Sequence, residues 1–260
     1  MKRLVKAIVA GLCIASISTA LVIELHPSAS RAAGNTLLVL GDSLTYGTAY
    51  PGFGNVVPQL EALGTFDLVK IDGVHARNIS GPARTSRNGV KTYRQWIENG
   101  LRPSAVIVAL GSNDLQQSSK PAFHEAQIRE LLAVIGDIPV VWINVLRTDT
   151  SYYPQRSAMF NRVLLRIAPE YPNLSVVDWA SVLAAHPKWF AYDKLHLQPR
   201  GYRELATVYV EATQSLWVTL NPPVTIPETT VPETTVPATT IPQTTIPQTT
   251  IPQTTTTIAG

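Results

Sequence analysis

Ser43, Asp193 and His196 are three residues whose side chains could together form a nucleophilic catalyst. A serine hydroxyl is a poor nucleophile near neutral pH, and it needs a base within hydrogen-bond reach that a third group orients. Asp193 and His196 are three residues apart, so one helical turn or a tight loop would place both side chains on the same side. The chain order serine, aspartate, histidine is one of those that build a catalytic triad. We therefore interpret Ser43 as a nucleophile, His196 as its base and Asp193 as the group that orients the base.

Asn113 lies in the tetrapeptide 111–114 (GSND), directly after an apolar run. An asparagine amide can donate a hydrogen bond to the oxyanion of a tetrahedral intermediate, and one such donor changes the rate by roughly 10²–10³. The alternative is an Asx-turn that only terminates the preceding strand. In a chain that also offers Ser43 and His196, we favour the oxyanion role.

The segments between these residues predict an α/β fold. Short runs rich in Val, Ile and Leu alternate with helical patterns, which indicates a parallel sheet covered by helices on both faces. The predicted strands are 36–41, 67–71, 105–110, 139–146 and 174–178. The predicted helices are 54–63, 89–99, 120–135, 155–168 and 199–217. We expect them to form one domain over residues 33–221, which is long enough for a full core.

Two of the candidate residues follow predicted strands. The heptapeptide 41–47 (GDSLTYG) comes after the first strand, and 111–114 comes after the third. An apolar run that ends in Gly-Asp-Ser is typical of a buried strand that stops at a tight turn. Because open α/β sheets hold ligands at the carboxyl ends of their strands, we expect Ser43 and Asn113 to lie at one crevice.

The segments 41–47, 111–114 and 193–196 (DKLH) together resemble the SGNH, or GDSL-type, hydrolase family of esterases and lipases. The resemblance extends over about residues 36–210, and three of the family's four sequence blocks are present letter for letter. It implies a three-layer α/β/α, flavodoxin-like fold with a five-stranded parallel sheet. It also implies a serine esterase without a metal or an organic cofactor, in which the Ser43 N–H and the Asn113 side chain hold the oxyanion.

The fourth family block, a loop after the second strand, departs from the family pattern. Within residues 71–77 (IDGVHAR), Ala76 stands where the family has a glycine whose N–H is a further oxyanion donor. Any residue except proline still offers its N–H, so Ala76 can supply this donor if its backbone adopts the required conformation. Gly73, Gly81 and Gly89 are the alternatives.

Asp42, Arg77 and Arg147 are candidate contacts to a polar or anionic substrate, because they lie close to predicted strand ends. A solvated surface position is the alternative for the two arginines. His75 is a lesser rival to His196 as the base. We expect His124, which lies in a helical pattern, at the protein surface.

Residues 1–32 have the pattern of a secretory signal peptide. Lys2, Arg3 and Lys6 precede an apolar stretch over 7–23, and the small residues near position 32 fit a cleavage site. An uncleaved membrane anchor is the alternative. Cys13, the one cysteine of the chain, lies in this segment. Cleavage would therefore leave a protein without disulfide bonds, zinc-thiolate sites or a cysteine nucleophile.

Residues 222–260 are predicted to form an extended stalk. A five-residue unit of the type IPETT recurs along this segment, and proline at every fifth position forbids a helix. The threonine-rich remainder cannot bury a core, and such tails outside the cell are often O-glycosylated. The segment is interpreted either as a spacer that associates the protein with a cell envelope or as a disordered tail without a partner. We expect no covalent or transmembrane anchor at its end.

The charge balance argues against a nucleic-acid partner. The formal net charge of the whole chain is +3. Removal of residues 1–32 would leave 17 basic and 17 acidic residues, because it deletes Lys2, Arg3, Lys6, Arg31 and Glu24. No basic patch remains that would attract a phosphate backbone. We expect a monomer whose partner is its substrate.

Together these observations predict a secreted or cell-envelope-associated serine esterase. Its substrate would be a small ester or an acylated carbohydrate, with a short acyl group such as acetyl preferred because no long apolar lid segment is present. Two alternatives stay open. The same acyl-enzyme could pass its acyl group to a sugar hydroxyl, as in an O-acyltransferase acting on envelope polysaccharide. The other alternative is a binding module that retained the fold and lost turnover.

Overall fold

The computed structural model describes residues 34–223, which form a sheet of five parallel strands between two layers of helices. The strands are β1 (Thr36–Gly41), β2 (Leu68–Gly73), β3 (Ala105–Ala109), β4 (Val140–Ile143) and β5 (Leu174–Val177). Their order across the sheet is β2-β1-β3-β4-β5, and every neighbouring pair is parallel. The predicted fold class is therefore confirmed.

The helices cover both faces of this sheet. They are α1 (Ser43–Ala49), α2 (Val56–Ala62), α3 (Gly89–Glu98), α4 (Pro121–Ile135), α5 (Tyr153–Ile167), α6 (Trp179–Ala185) and α7 (Pro199–Leu220). Successive side chains of a strand point to opposite faces of the sheet, so β1 contributes to the hydrophobic core on each face. Leu38 and Leu40 pack toward α3, α4 and α5, while Leu37 and Val39 pack toward α2, α6 and α7.

The strand order places a crevice between β1 and β3. The chain passes from β1 to β2 on one side and then returns to β3 on the other side of β1. At such a switch point the connections leave the sheet in opposite directions, which opens a space at the carboxyl ends of the two strands. The segments that follow β1 and β3 contain Ser43 and Asn113, respectively.

Two seven-residue helices were not predicted. The residues after β1 form α1 directly, with Asp42 as the N-cap, where the sequence pattern indicated only a tight turn. Asp178 caps α6 by accepting the Ser181 backbone N–H at 3.2 Å. Hydrophobic periodicity extends over only two turns in α1 and α6, and caps and tertiary packing stabilise these helices instead.

Two further predictions were wrong in detail. β4 ends at Ile143 rather than at residue 146, because the Asn161 side chain takes over the Val145 backbone N–H at 3.2 Å. His124 is fully buried rather than exposed, with its Nε2 3.0 Å from the Ser118 carbonyl and its ring against Phe160.

The predicted signal peptide and nearly all of the predicted stalk lie outside the described residues. Both therefore stay predictions. Within residues 34–223, no helix combines the length and the apolar character needed to cross a membrane.

Candidate active site

Ser43 is the first residue of α1, where the chain turns sharply from strand to helix. The Asp42 Oδ1 accepts the Leu44 backbone N–H at 2.9 Å and so caps the helix. A side chain at Gly41 would clash with the Thr45 side chain, so the turn has no room for one. The glycine and the aspartate of this motif together place Ser43 at the carboxyl edge of the sheet.

His196 connects Ser43 to Asp193. Its Nε2 lies 2.9 Å from the Ser43 Oγ, and its Nδ1 lies 2.6 Å from the Asp193 Oδ2. These distances suit a serine hydroxyl that donates to Nε2 and an Nδ1–H that donates to the carboxylate. The structure thus brings together the three residues that the sequence singled out as nucleophile, base and orienting group.

The environment of Asp193 favours its ionised form. Partial burial acts to raise the pKa of this carboxyl. Hydrogen bonds from the His196 ring and from the backbone N–H groups of His196 and Leu195 outweigh that effect and hold the pKa below its usual range. An ionised Asp193 can fix the orientation of the imidazole and stabilise it when it accepts a proton.

The turn that carries these two residues is held by its own backbone. The Ala191 N–H donates to the His196 carbonyl at 2.8 Å, and the Lys194 N–H donates to the Ala191 carbonyl at 3.0 Å. Lys194 has a φ of 55°, in the left-handed region. These constraints set the spacing of Asp193 and His196 without a helix.

Ala76 has a left-handed backbone conformation. Its φ is 55°, a left-handed value that favours glycine. Within residues 34–223, the backbone N–H groups of Ser43 and Ala76 donate to no protein acceptor. Both are therefore available to a ligand oxygen, as an oxyanion site needs.

The side chain of Asn113 lies beside Asp42 with both of its amide hydrogens engaged. Its Nδ2 is 3.1 Å from the Asp42 Oδ2 and 3.0 Å from the Arg77 carbonyl. An oxyanion would have to share or displace one of these acceptors. This pairing could not be predicted from the sequence, because Asp42, Arg77 and Asn113 meet only through the fold.

Asp42 faces the protein interior, contrary to its interpretation as a substrate contact. Its side chain is buried, and its two oxygens accept from Leu44 and Asn113. Burial raises the pKa of Asp42 to about 6, against the opposing effect of the Leu44 hydrogen bond. Asp42 links the helix of Ser43 to the loop of Asn113, so its role is to position other groups.

Arg77 is also directed inward, which corrects its interpretation as a substrate contact. Its side chain is only 1% exposed and forms an ion pair with Asp72 at 2.8 Å. The guanidinium also donates to the carbonyls of Gly41 at 3.0 Å and Ser86 at 3.0 Å. Arg77 therefore ties the ends of β1 and β2 to the following loop.

Arg147 occupies an equivalent place on the other side of the site. It is buried, pairs with Asp149 at 2.6 Å, and donates to the Ser112 carbonyl at 3.0 Å. Its guanidinium lies 3.9 Å from the centre of the Tyr153 ring. Arg147 stabilises the loop of Asn113 and does not contact a substrate, because its guanidinium faces inward and is already paired with these groups.

Asp114 is a buried carboxyl that the sequence analysis did not single out. Both of its oxygens accept the Ile79 backbone N–H, at 3.0 and 3.2 Å. Burial raises the pKa of Asp114 to about 8, which favours its protonated form. It joins the loop after β3 to the loop that carries Ala76. Its place in the GSND segment was the signal that could have revealed it.

His75 does not compete with His196 for the serine. Its ring is exposed and packs against Tyr46, with 4.7 Å between the ring centres. His196 already occupies the hydrogen-bonding position at Ser43.

A small apolar cavity lies between the ends of β3 and β4. Its volume is about 20 Å³, enough for a group of the size of water or methyl. Leu44 and Ser112, the chain neighbours of Ser43 and Asn113, are among its lining residues, with Ile143, Trp179 and Leu205.

The site has the parts of an acyl-transfer catalyst. It offers a serine oxygen, a histidine within proton-transfer distance, a carboxylate that orients the histidine, and free backbone donors. Among residues 34–223, no three His, Cys, Asp or Glu side chains form a group that could hold a metal ion.

The chain is similar to known proteins in sequence and in fold. Residues 39–204 match the sequence profile of the GDSL-like lipase/acylhydrolase family. The fold also matches that of a lipase/acylhydrolase from Enterococcus faecalis, with a TM-score of 0.56 and 20% identity over 70% of this chain and 96% of that one.

Two kinds of enzyme appear among the similar curated proteins. The O-acetyltransferase OatA of Staphylococcus aureus is 28% identical over 47% of this chain and 18% of its own length. A protein named putative peptidoglycan O-acetyltransferase YrhL, from Bacillus subtilis, is 28% identical over 58% of this chain and 21% of its own. An arylesterase of Vibrio mimicus is 26% identical over 67% of this chain and 86% of its own. The chain thus spans about a fifth of the length of the O-acetyltransferases that it matches.

Proposed function

The chain belongs to the GDSL-like lipase/acylhydrolase family, and we propose that it is a serine esterase that hydrolyses short-chain acyl esters, O-acetyl esters above all. The observation that carries the proposal is the 2.9 Å distance between the Ser43 Oγ and the His196 Nε2, with Asp193 hydrogen-bonded to the opposite ring nitrogen. A serine with these two partners is activated for attack on a carbonyl carbon.

The reaction would proceed through an acyl-enzyme. Ser43 attacks the ester carbonyl while His196 takes the hydroxyl proton, and the tetrahedral intermediate collapses as His196 returns that proton to the departing alcohol. Water, deprotonated by His196, then attacks the acyl group and releases the acid. Asp193 holds the imidazole in place through both steps.

The oxyanion would be held by three donors. Two are the backbone N–H groups of Ser43 and Ala76, which are free within the described residues. The third is the Asn113 amide, which would turn part of its hydrogen bonding from the Arg77 carbonyl or from Asp42 toward the substrate oxygen. Preorganised donors of this kind stabilise charge that develops in the transition state.

The small cavity beside Leu44 supports a short acyl group. Its volume of about 20 Å³ suits an acetyl methyl and is too small for a long alkyl chain. This is the basis for preferring acetate esters over lipids.

Transfer to a sugar hydroxyl is a second candidate function. Two similar proteins carry the name O-acetyltransferase, and a sugar hydroxyl could replace water in the second step. A binding module without turnover is a weaker candidate, because the hydrogen-bonded set Ser43, His196 and Asp193 would then have no purpose.

We place the protein outside the cytoplasm. The pattern of residues 1–32 supports export, and the Pro/Thr repeat from 222 onward supports a spacer in or along a cell envelope. Its partner would be an esterified small molecule or an acylated carbohydrate, and no cofactor is proposed.

Hydrolysis of p-nitrophenyl esters from acetate to palmitate tests the proposal. The full chain should turn over acetate and butyrate, lose activity on longer esters, and react covalently at Ser43 with a serine-directed phosphonate. Ser43→Ala should abolish turnover and labelling. Ser215→Ala, on the exposed face of α7, is the matched control and should behave as the wild type.

Two other outcomes would change the assignment. Equal inactivity of the wild type and Ser43→Ala on all esters would exclude an esterase. If an added sugar accelerated loss of the acyl-enzyme and became acetylated, transfer would be the main reaction.

A further inference from the structure

An exposed strip of aromatic side chains leads away from the candidate nucleophile. Tyr46 and Tyr50 are each 49% exposed, although large aromatic rings are usually well buried. Ser43, Tyr46 and Tyr50 are at positions i, i+3 and i+7 along α1 and its C-cap, so they share one face of this helix. Phe53 continues the strip, with its ring centre 5.2 Å from that of Tyr50. We call Tyr46, Tyr50 and Phe53 the aromatic strip.

Two further side chains, Tyr202 and His75, support the aromatic strip from the protein side. Phe53 stacks on Tyr202 of α7, with 5.2 Å between ring centres and 12° between ring planes. Tyr46 packs against His75, the neighbour of Ala76, at 4.7 Å. The strip therefore lies beside the loop that carries a proposed oxyanion donor, and its rings are oriented before any ligand arrives.

Tyr192 is a further exposed ring next to the triad. It precedes Asp193 in the turn closed by the Ala191 and Lys194 hydrogen bonds, and its side chain is fully exposed. Single exposed aromatic residues are common on proteins. Here exposed rings adjoin Ser43 along α1 and Asp193 along the chain.

We propose that the aromatic strip and Tyr192 bind the saccharide part of an O-acylated glycan by stacking against its pyranose rings. The C–H groups on a pyranose face carry partial positive charge, and the face of an aromatic ring carries the complementary negative charge. Tyrosine suits a wet surface of this kind, because its hydroxyl stays hydrated while its ring makes the contact. The cavity beside Leu44, whose volume is about 20 Å³, has no room for a sugar ring, so a saccharide would have to bind on the surface outside it.

This inference rests on the proposed esterase function and names its substrate class. In the bound glycan, Ser43 attacks the acyl carbon, the bond from that carbon to the sugar oxygen breaks, and the sugar hydroxyl leaves with the proton from His196. Tyr46 and Tyr192 would orient the reacting sugar. Tyr50 and Phe53 would extend the contact to the next rings of the chain, which favours a polymer over a monosaccharide.

Kinetics on substrates with and without a saccharide test the assignment. The full chain and its variants are assayed on vinyl acetate, whose alcohol part has no ring, on glucose pentaacetate, and on a panel of O-acetylated xylan and O-acetylated peptidoglycan. Tyr46→Ala and Tyr192→Ala should each lower kcat/KM on acetylated glycans by about threefold to tenfold, mainly through KM. Tyr50→Ala should do so on the polymers but not on glucose pentaacetate. All three variants should stay within about twofold of the wild type on vinyl acetate.

Two controls separate ring contact from general damage. Tyr46→Phe keeps the ring and should retain the glycan activity that Tyr46→Ala loses. Leu165→Ala removes an exposed side chain from α5, on the opposite helix layer, and should change nothing.

Each remaining outcome is decisive. Turnover of vinyl acetate without turnover of any acetylated glycan would overturn the saccharide assignment and leave the esterase standing. Glycan kinetics unchanged in all three alanine variants would also overturn it. Inactivity on every substrate would mean that the esterase proposal itself has failed.

Discussion

At the scale of single residues, the types and chain order of the candidate groups were enough to propose their chemical roles. The neighbours that each side chain meets in the fold could not be predicted in this way. Ser43, Asp193, His196 and Asn113 could be proposed from sequence because few residue types can act as nucleophile, base, orienting group or oxyanion donor. The inward orientation of Arg77 could not, because its acceptor at Gly41 lies 36 residues away and is supplied by the fold. The position of an arginine in the sequence does not by itself show whether its side chain is buried and structural or contacts a substrate.

Replacement of Asp193 by Asn should lower esterase activity without unfolding the protein. The amide cannot accept the Nδ1–H in the same way and does not stabilise the imidazolium, so kcat/KM should fall roughly 10²–10⁴-fold. Because the Asp193 side chain is half exposed, the thermal midpoint should change little. Esterase kinetics and circular dichroism check both statements, with the exposed Asp137→Asn as control. A fall of less than fivefold would contradict the orienting role.

Position 76 should accept glycine but not a β-branched residue. Its φ of 55° costs a residue with a Cβ about 1–2 kcal/mol, and a β-branched side chain suffers more. Ala76→Gly should therefore be neutral or slightly stabilising and retain activity, while Ala76→Val should lower both stability and kcat. Urea unfolding and ester turnover of the two variants measure this. Equal behaviour of glycine and valine would show that the backbone conformation at this position does not matter.

At the scale of elements, the sequence predicted all five strands and five of the seven helices. Buried parallel strands are unbroken apolar runs, and four of the five predicted helices have ten or more residues, enough turns to show their period. The short helices α1 and α6 depend on the caps Asp42 and Asp178 and on packing, so their patterns were too brief. β4 was predicted too long because Val145 is apolar and buried, yet it belongs to the loop.

Arg77 should prove to stabilise the contact between the ends of β1 and β2 and the loop that follows β2. Arg77→Met would remove the charge that pairs with the Asp72 carboxylate and one of the donors to the Gly41 carbonyl, and loss of one member of a buried ion pair costs about 3–5 kcal/mol. The partial exposure of Asp72 places the expected loss at the lower end of that range. Arg102→Met is the control, because Arg102 is exposed and bonds only to nearby carbonyls. Equal unfolding free energies for the two variants would refute this role.

At the scale of the whole molecule, the buried carboxyl of Asp114 should make stability depend on pH. Its pKa is raised from 3.8 to about 8 in the folded protein, so the folded state holds a proton that the unfolded state releases. Its stabilising contribution is therefore complete below about pH 4 and is lost as the pH rises toward 8. Asp42, with a pKa of about 6, acts in the same direction over a narrower range.

Asp114→Asn should flatten this dependence. The amide keeps an oxygen for the Ile79 N–H and does not ionise, so the variant should lose less stability than the wild type between pH 4 and pH 8, by on the order of 3–5 kcal/mol. Urea unfolding at several pH values measures the difference. Glu130→Gln, on the exposed side of α4, should keep the wild-type slope. Parallel slopes for the wild type and Asp114→Asn would be the contrary result.

The hydrogen bond between Ser43 and His196 joins residues that are 153 positions apart in the chain. Strands β2 to β5 all lie between them, so this contact has a high loop-closure cost and cannot persist before the intervening chain has assembled. Recovery of ester turnover during refolding should accordingly lag behind the return of helical signal. A newly synthesised chain would remain inert until its last segment docks, and ester turnover would then report completed folding.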